Sequence, residues 1–425
     1  MHLNSSKILK MLSGAMAVAV LSRLSSLGMA IILARQLSPS GYGAFTYALG
    51  VATIVAQISS LGWPLLMSRF IPRYLTLKQW GLLKGLIVKG DMLLLPVVIT
   101  FALLLFGLGE VGVFEEQVSR GLVLAAVLVP TLSFLTLRKS QLAAQKKAAK
   151  GLFLNEFVPP TAIVFVSFFI TFSDANTSFY IFAGFNFVAV VLATVVTYKS
   201  WSPEFYRAKV ESDFKKWMLI ALPLVAAVSG KMIMSKADII MLAPLSNVEQ
   251  VGYYGAMFRV TYLLTFAQVV LMTVMSPLLS EAITKKDFAI ISRRFFVTLG
   301  AAFIFAIPLA VFILVFRLPI VEFVFGSEYV ASTSVLTILV FAQTAVTLNM
   351  PFTSLIIMSG REKAYGVVVM LALVLNLLLN WHFIPLDGAL GASKATLAAN
   401  FFSLACGLFL CVSVMKTLKA ECESR

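Results

Sequence analysis

The chain has 425 residues, of which 60% are hydrophobic and only 12% are charged, with a formal net charge of +15. A soluble domain carries roughly 25% charged residues, so this composition excludes a soluble enzyme and a secreted protein. The apolar stretches are continuous, which excludes an outer-membrane barrel, whose strands alternate polar and apolar residues. We therefore predict an all-α polytopic membrane protein.

Windows of about twenty apolar residues recur along the chain and predict about twelve membrane spans. They lie at 11–34, 43–67, 86–108, 119–137, 152–172, 178–198, 217–243, 252–278, 295–316, 331–357, 364–384 and 391–415. The first window is too long for the core of a cleaved signal peptide, so we expect a retained helix. The loops are too short for a catalytic domain, and we expect no enzyme activity and no cofactor.

The basic residues are distributed unevenly between the two sides of the predicted membrane. With the N-terminus in the cytoplasm, the inner segments hold 25 of the 34 Lys and Arg residues, and the outer segments hold four. This is the positive-inside pattern, and it predicts that both termini are cytoplasmic. The basic residues are scattered over many short loops, which argues against a nucleic-acid partner.

The longest basic loop, at 199–216, divides the chain into two predicted lobes of 1–210 and 211–425. A short repeat supports this division: Gly-Tyr-Gly-Ala-Phe at 41–45 opens span two, and Gly-Tyr-Tyr-Gly-Ala-Met-Phe at 252–258 opens span eight. Six helices separate the two copies, and because six is even, both have the same orientation, as in parallel transporter repeats. The sequence thus favours a two-lobe transporter.

Several short motifs occur in order along the chain. They are Leu-Ala-Arg-Gln-Leu-Ser at 33–38, the run at 41–45, Leu-Gly at 61–62 with Arg69, Asp-Ile-Ile-Met-Leu at 238–242, Val-Gly-Tyr-Tyr at 251–254 with Arg259, Phe-Gly-Ser-Glu-Tyr at 325–329 and Ile-Pro-Leu-Asp-Gly-Ala-Leu-Gly-Ala at 384–392. As an ordered set they resemble the polysaccharide-transporter (Wzx-type O-antigen flippase) branch of the multidrug/oligosaccharidyl-lipid/polysaccharide (MOP) exporter superfamily.

This resemblance implies a MATE-like fold, with two six-helix lobes around a central cavity. It also implies translocation of a polyprenyl-diphosphate-linked oligosaccharide, such as an O-antigen repeat unit for lipopolysaccharide, across a bacterial inner membrane. The expected partners are this lipid-linked oligosaccharide, membrane lipid and polysaccharide assembly proteins.

Charged residues inside the predicted spans are unusual and point to function. We assign seven charged residues to the interior of the spans, five cations and two acids: Arg23, Lys89, Lys231, Lys236, Arg259, Asp91 and Asp238. A diphosphate needs a polar, cationic path through roughly 30 Å of hydrocarbon. The excess of positive charge therefore predicts an anionic substrate.

Arg23 is the most informative of these residues because it lies at the centre of the first span, about 18 Å of helix from either end. We predict that its guanidinium binds the diphosphate, with a structural salt bridge or helix packing as the alternative. Ser22-Arg23 is also similar to a cavity-arginine motif in the first helix of the peptidoglycan lipid-precursor flippases. The second arginine of that motif is missing, since Gly28 and Met29 stand in its place.

In span seven, Lys231, Ser235 and Asp238 recur at i, i+4 and i+7, which places them on one helix face. We predict that Lys231 and Asp238 face the cavity and contact substrate, with an internal Lys–Asp pair as the alternative. The sequence has no G-x-x-x-x-G-K-[ST] phosphate loop for ATP, which leaves an ion gradient, the membrane potential or downhill substrate flux as the energy source. If an H⁺ or Na⁺ gradient is used, Asp238 is the best candidate for the coupling carboxylate.

Two further residues complete the predicted substrate site. By resemblance, Arg259 in span eight faces the cavity, with snorkelling to the outer interface as the alternative. Gln57 in span two is predicted to bond sugar hydroxyls, although interhelical hydrogen bonds are the commoner use of such a residue. Lys89 and Asp91 are expected to form a pair at the inner interface.

Two other functions compete with the flippase. A multidrug or cation antiporter of the same superfamily needs cavity carboxylates, which the positive core disfavours. A polysaccharide polymerase or ligase, which is less expected, usually carries a large outer loop. The two histidines and three cysteines have no spacing typical of a metal site or a disulfide framework.

Overall fold

The computed structural model of the chain describes residues 5–264, 279–283 and 287–423, without the side chains of 5–13, 222–231, 234 and 423. The described residues form helices joined by short loops, with no strand among them. The prediction of an all-α protein is confirmed. The chain divides into two compact units, Met1–Lys236 and Ala237–Arg425. We call them unit 1 and unit 2, and the inner and outer ends of helices follow the predicted orientation.

Unit 1 contains nine helices, one turn of π-helix and the beginning of a tenth helix. They are α1 (Ser5–Gln36), α2 (Pro39–Ser59), α3 (Trp63–Thr76), α4 (Trp80–Glu110), α5 (Glu116–Ala144), α6 (Ala148–Leu152), the π-helix (Phe153–Phe157), α7 (Val158–Val166), α8 (Ala175–Lys199), α9 (Pro203–Arg207) and α10 (Phe214–Leu245). The unit boundary falls within α10, whereas the predicted lobe boundary at 210 precedes that helix and stays a prediction.

Unit 2 contains the end of α10 and the helices that follow it in the described residues. They are α11 (Val248–Val260), α12 (Phe288–Val315), α13 (Arg317–Phe325), a 3₁₀-helix (Ser327–Ser332), α14 (Thr333–Met358) and α15 (Glu362–Glu423). At the inner end of the unit, α12, α14 and α15 share a core that includes Phe295, Leu355 and Cys411.

Eight helices among the described residues are long and apolar enough to cross a membrane. One of them, Glu362–Cys422, covers two predicted spans, 364–384 and 391–415. Predicted span eight, at 252–278, lies partly outside the described residues. The multi-pass membrane fold is thus confirmed, while the number of twelve spans stays a prediction.

Predicted span two is interrupted in the structure. The side chain of Ser38 caps α2 by accepting a hydrogen bond from the backbone N–H of Gly41. The helix ends at Ser59, and the next turn contains two left-handed residues, Leu61 at φ 49° and Gly62 at φ 69°. The chain then restarts as α3. Continuous hydrophobicity over 43–67 concealed this break, although Gly62 and Pro64 mark it: glycine adopts the left-handed backbone readily, and proline is common in the first turn of a helix.

A second break lies in α15 at Gly388, where φ is 55° and ψ is −127°. It separates a first arm, 362–387, from a second arm, 389–423. This backbone conformation favours glycine, because a residue with a Cβ is strained at this positive φ and would also displace the Gln250 side chain of α11, whose Oε1 would lie 2.7 Å from the Cβ. The same Gln250 oxygen accepts a hydrogen bond from the backbone N–H of Ala389 at 3.0 Å. This contact fixes the start of the second arm against α11.

Candidate functional site

Asp238 in α10 is the centre of a buried polar cluster in unit 2. Tyr254 and Thr396 donate hydrogen bonds to its Oδ2, at 2.6 and 2.8 Å. Asn376 and Asn380 donate to its Oδ1, at 3.2 and 2.7 Å. The side chain of Asn380 also donates to Oδ1 of Asn376 at 3.1 Å. Four neutral donors therefore surround one carboxylate, and we call these five residues the Asp238 cluster.

The cluster joins three elements of unit 2. Asp238 comes from α10, Tyr254 from α11, and the other donors from the two arms of α15. Asn376 and Asn380 are one turn apart on the first arm, so their amides lie on the same helix face. Thr396 on the second arm is also hydrogen-bonded to the Tyr254 hydroxyl, at 3.3 Å. The carboxylate therefore links α10 to α11 and to both arms of α15 through hydrogen bonds.

The charge of Asp238 is not balanced by any ion pair in the part of the chain that the structure describes. The residue is only 8% exposed, and Asn380 is fully buried. Oδ1 of Asn380, an acceptor, has no hydrogen-bond partner there. A buried carboxylate with neutral donors costs several kcal/mol relative to water unless a proton or a cation compensates it. The cluster can thus take up one positive charge.

This geometry differs from the predicted stripe in α10. Ser235 is exposed and donates to the backbone oxygen of Met232 at 2.8 Å, whereas Asp238 is buried among helices of its own unit. The side chain of Lys231 lies outside the described residues. From the sequence, Asn376 and Asn380 could bond sugar hydroxyls, with interhelical hydrogen bonds as the commoner use of such residues. The structure shows interhelical hydrogen bonds to Asp238, and the spacing of four residues was the signal that could have marked a paired site.

Unit 1 contains a second aspartate within a helix, the half-buried Asp91 in α4. Arg138 of α5 binds both of its carboxylate oxygens, with two N–O distances of 3.0 Å, and Tyr198 of α8 donates to Oδ2 at 2.7 Å. The Arg138 guanidinium is 4% exposed and also contacts Thr194 and Gln141. This is a neutral, fully hydrogen-bonded ion pair that holds three helices together.

Two expectations about charged residues are corrected by these contacts. Asp91 was expected to pair with Lys89, but its partner is Arg138, which was assigned to an inner loop. Helix α5 continues to Ala144, so Arg138 lies within the helix and is buried. The count of acids within spans also missed Glu156, which lies in the π-helix of span five. It forms an ion pair with Lys139 at 3.0 Å.

Arg23 lies on the exposed face of α1. Its neighbour Ser22 is buried and donates to the backbone oxygen of Val18, and one turn later Ser25 is hydrogen-bonded to Thr161 of α7. The Arg23 guanidinium makes no hydrogen bond or ion pair with any residue that the structure describes. A structural salt bridge is therefore not its role within the described part of unit 1.

The two other predicted ligands are half-buried. Gln57 lies near the end of α2, where its backbone oxygen accepts a hydrogen bond from Ser60. Arg259 lies in the last turn of α11, with its guanidinium 5.3 Å from the centre of the Tyr262 ring. Arg23 and Gln57 belong to unit 1, and Arg259 and Asp238 to unit 2.

The helical architecture and buried charges define a multi-pass membrane protein with the fold of MOP-superfamily transporters. The chain belongs to the family of polysaccharide biosynthesis proteins, whose family model matches residues 9–283. A second family model, MatE, matches residues 223–382. The resemblance inferred from the sequence motifs is thus confirmed. The chain is also 22% identical to an uncharacterized membrane protein of Methanocaldococcus jannaschii, over 87% of this chain and 77% of the relative.

Solved structures of similar fold come from the same superfamily. An inward-facing multidrug resistance MATE family transporter is 14% identical, with a TM-score of 0.79 over 94% of this chain and 96% of that chain. The lipid II flippase MurJ, in an inward closed conformation, is 15% identical, with a TM-score of 0.72 over 96% and 90%. A MOP superfamily transporter from Pyrococcus furiosus, with reverse polarity of its binding pocket, is 14% identical, with a TM-score of 0.62 over 97% and 96%.

Proposed function

We propose that this protein is a flippase that moves a polyprenyl-diphosphate-linked oligosaccharide from the cytoplasmic to the outer leaflet by alternating access. The observation that carries the proposal is Arg23. It is a guanidinium in the middle of a membrane helix, exposed and without a partner among the described residues. A cation in this position is costly unless it serves an anionic ligand, and a guanidinium matches a diphosphate bidentately.

The family membership supports the same substrate class, because it links the chain to polysaccharide biosynthesis. The proposed cell location is a bacterial inner membrane with both termini cytoplasmic, where O-antigen or related repeat units would be delivered to polysaccharide assembly proteins. In this scheme the diphosphate binds Arg23, with Lys231 and Arg259 as further cations, and Gln57 bonds a sugar hydroxyl.

For Asp238 we propose coupling to a cation gradient as its main role. Its carboxylate is bonded to four donors of its own unit, which leaves little capacity for sugar hydroxyls. Uptake of H⁺ or Na⁺ neutralises the buried charge and changes the hydrogen bonds that hold α10, α11 and α15 together. Such a change is a means by which ion binding can alter the conformation of unit 2.

A multidrug antiporter of the same superfamily is the second candidate, and the MatE match over 223–382 favours it. The two candidates require opposite ligand charges, since an antiporter for cationic drugs needs unpaired carboxylates in its binding site. In the described residues, the only such group among the predicted ligands is Asp238, which lies inside unit 2. A polymerase or ligase has less support, because no family match here describes one.

The experiment that tests the proposal compares two substrates in the same proteoliposomes. We expect wild-type protein to move a polyprenyl-diphosphate oligosaccharide between leaflets faster than empty vesicles do, and to leave accumulation of a cationic dye unchanged. Vesicles with Arg23→Ala should lose this movement, and vesicles with Arg207→Ala, at the exposed end of α9, serve as the matched control for loss of one positive charge. Dye efflux without movement of the lipid-linked sugar would establish the antiporter instead.

A further inference from the structure

The inner ends of α5 and α8 in unit 1 meet at a group of four lysines, which we call the inner lysine corner: Lys146, Lys147, Lys150 and Lys199. The Lys147 ammonium donates a hydrogen bond to the backbone oxygen of Ser200 at 3.3 Å, and this contact joins the two ends. Within residues 145–152 and 199–204 the only acid is Glu204. No lysine of the corner forms an ion pair with a residue that the structure describes. The corner therefore carries an uncompensated positive charge.

The end of α5 holds two of these lysines in defined positions. Lys146 has a left-handed backbone, with φ at 62°. Its N–H donates to the backbone oxygen of Ala143 at 2.9 Å, and the N–H of Lys147 donates to that of Leu142 at 2.8 Å. This is a Schellman cap, in which glycine is the usual left-handed residue. A lysine in this place is strained relative to glycine, so two adjacent cations are held here at a conformational cost.

Ser200 also connects the lysines to a buried donor that lacks an acceptor. Its hydroxyl donates to Oε1 of Gln145, whose buried Nε2 has no hydrogen-bond partner among the described residues. The next residue, Trp201, is 7% exposed, and its indole N–H likewise lacks a partner there. Burial, and to a smaller extent the nearby Lys150 ammonium, lower the pKa of Lys147. An anion with several acceptor oxygens complements this excess of donors and of positive charge.

An exposed apolar surface leads along α8 to the corner. It is a stripe of side chains at helical spacing, each 44–61% exposed: Phe187, Val188, Val191, Leu192 and Val195. Lys199 follows Val195 by four residues and lies on the same helix face, at its inner end. Acyl chains match an exposed apolar stripe on a membrane helix, and lysines at the end of such a helix reach the level of the lipid headgroups. We call these five apolar residues the α8 stripe.

We propose that the inner lysine corner binds the phosphate of an anionic phospholipid from the inner leaflet, with an acyl chain along the α8 stripe. The phosphate supplies the negative charge and the acceptor oxygens that the lysines lack. A lipid fits better than free phosphate because the stripe and the lysines are continuous. A zwitterionic lipid fits less well because its own cation opposes the lysines. The site is independent of the substrate and of the energy source for flipping.

The experiment uses two photoreactive lipids that differ only in the headgroup. Phosphatidylglycerol and phosphatidylcholine, each with a diazirine in one acyl chain, are titrated into the purified full-length protein in detergent micelles. After illumination, mass spectrometry maps and quantifies the adducts. We expect phosphatidylglycerol to label residues 187–199 several-fold more strongly than phosphatidylcholine does at the same concentration.

Matched double variants test the lysines. Lys147→Gln with Lys150→Gln removes two charges but keeps a side-chain donor for Ser200. Each lysine near an anionic lipid is worth about fivefold in affinity, so the phosphatidylglycerol concentration for half-maximal labelling should rise roughly tenfold to thirtyfold. Lys147→Arg with Lys150→Arg keeps both charges and should bind close to wild type. The control is Lys215→Gln with Lys216→Gln, two exposed lysines at the start of α10, which should leave labelling of α8 unchanged.

Thermal unfolding of the same proteins completes the test. Phosphatidylglycerol should raise the unfolding temperature of wild type more than that of the glutamine variant. If that variant is itself less stable than wild type, Lys150→Gln alone, at an exposed position, should still weaken labelling severalfold. Equal labelling by both lipids, or wild-type labelling of the glutamine variants, would overturn the proposal. Stabilisation by inorganic phosphate that equals that by phosphatidylglycerol would identify free phosphate as the ligand and overturn the assignment to a lipid.

Discussion

Each unit holds one aspartate that accepts a hydrogen bond from a tyrosine hydroxyl, half-buried in unit 1 and buried in unit 2, yet the two carboxylates are in opposite electrostatic situations. Asp91 in unit 1 is bound by the Arg138 guanidinium and by Tyr198, so its charge is balanced. Asp238 in unit 2 has Tyr254 and three more neutral donors, and no ion pair in the described residues.

The difference separates a structural role from a functional one. An ion pair inside the protein with complete hydrogen bonding is stable only when both groups are charged, because removing either charge leaves the other without a partner. A buried carboxylate among neutral donors has two accessible states, empty and cation-bound. The neutral groups can remain hydrogen-bonded to it in both states. The comparison therefore predicts that substitutions around Asp91 change stability, and that substitutions around Asp238 change transport.

The largest effect on stability is expected for Arg138→Ala. This change leaves Asp91 without its charge partner and also removes the contacts to Thr194 and Gln141. Complete burial would cost about 3–5 kcal/mol, and since the Asp91 side chain is 20% exposed we expect about 3 kcal/mol. Thermal unfolding of the purified protein measures the change. A neutral double variant, Asp91→Asn with Arg138→Gln, should recover part of the loss, and no recovery would contradict the pairing argument.

Asp238→Asn is expected to change transport and to leave the fold intact. The amide oxygen still accepts hydrogen bonds from Tyr254 and Thr396, and the new NH₂ group can donate to the amide oxygens of Asn376 and Asn380 once these amides rotate, so the unfolding temperature should change little. The variant cannot take up a proton or attract a cation as a carboxylate does. We expect at least a tenfold loss of the gradient-driven flipping rate, equivalent to about 1.4 kcal/mol. A large drop in unfolding temperature with normal coupling would place Asp238 in the structural class with Asp91.

The two tyrosines offer a matched comparison of smaller effects. Tyr198→Phe and Tyr254→Phe each remove one hydroxyl that donates to an aspartate carboxylate. Each should cost about 1 kcal/mol of stability. Only Tyr254→Phe should shift the Na⁺ or pH dependence of flipping, because only its aspartate is proposed to exchange a cation. An identical shift in both variants would remove the distinction between the units.

The smallest effect is expected for Glu156→Gln. The Glu156 and Lys139 side chains are 35% and 31% exposed, so their ion pair is partly screened by solvent and contributes less than about 1 kcal/mol. Thermal unfolding and flipping should both remain close to wild type. A change as large as that of Arg138→Ala would mean that the π-helix depends on this pair.

Much of the fold follows from the sequence because membrane helices are specified locally. Continuous apolar stretches predict the spans, and the Pro-Leu-Asp-Gly run at 385–388 separates the last two where the structure breaks α15 at Gly388. The break after α2 was missed because the apolar window continues through it, although Gly62 and Pro64 are residue types that mark a turn and a new helix start.

The buried contacts are less predictable, because pairing partners are far apart in the chain. Asp91 and Arg138 are separated by 47 residues, and Asp238 and Thr396 by 158. Sequence position suggested a local partner for Asp91 and, for Asp238, a stripe that faces the cavity or an internal pair with Lys231. Residue type alone identified Asp238 as a candidate, since a carboxylate within a membrane span is rarely without a role.

The measurement that tests the central claim most directly is flipping of a polyprenyl-diphosphate oligosaccharide by Arg23→Ala, Arg23→Lys and wild-type protein in proteoliposomes. If Arg23 binds the diphosphate, Arg23→Ala loses one charge-assisted, bidentate contact, and we expect a reduction of roughly tenfold to a hundredfold in the flipping rate. Arg23→Lys keeps the charge and should retain intermediate activity, with both variants inserted and folded as wild type. A well-folded Arg23→Ala protein that moves the substrate at the wild-type rate would contradict the account.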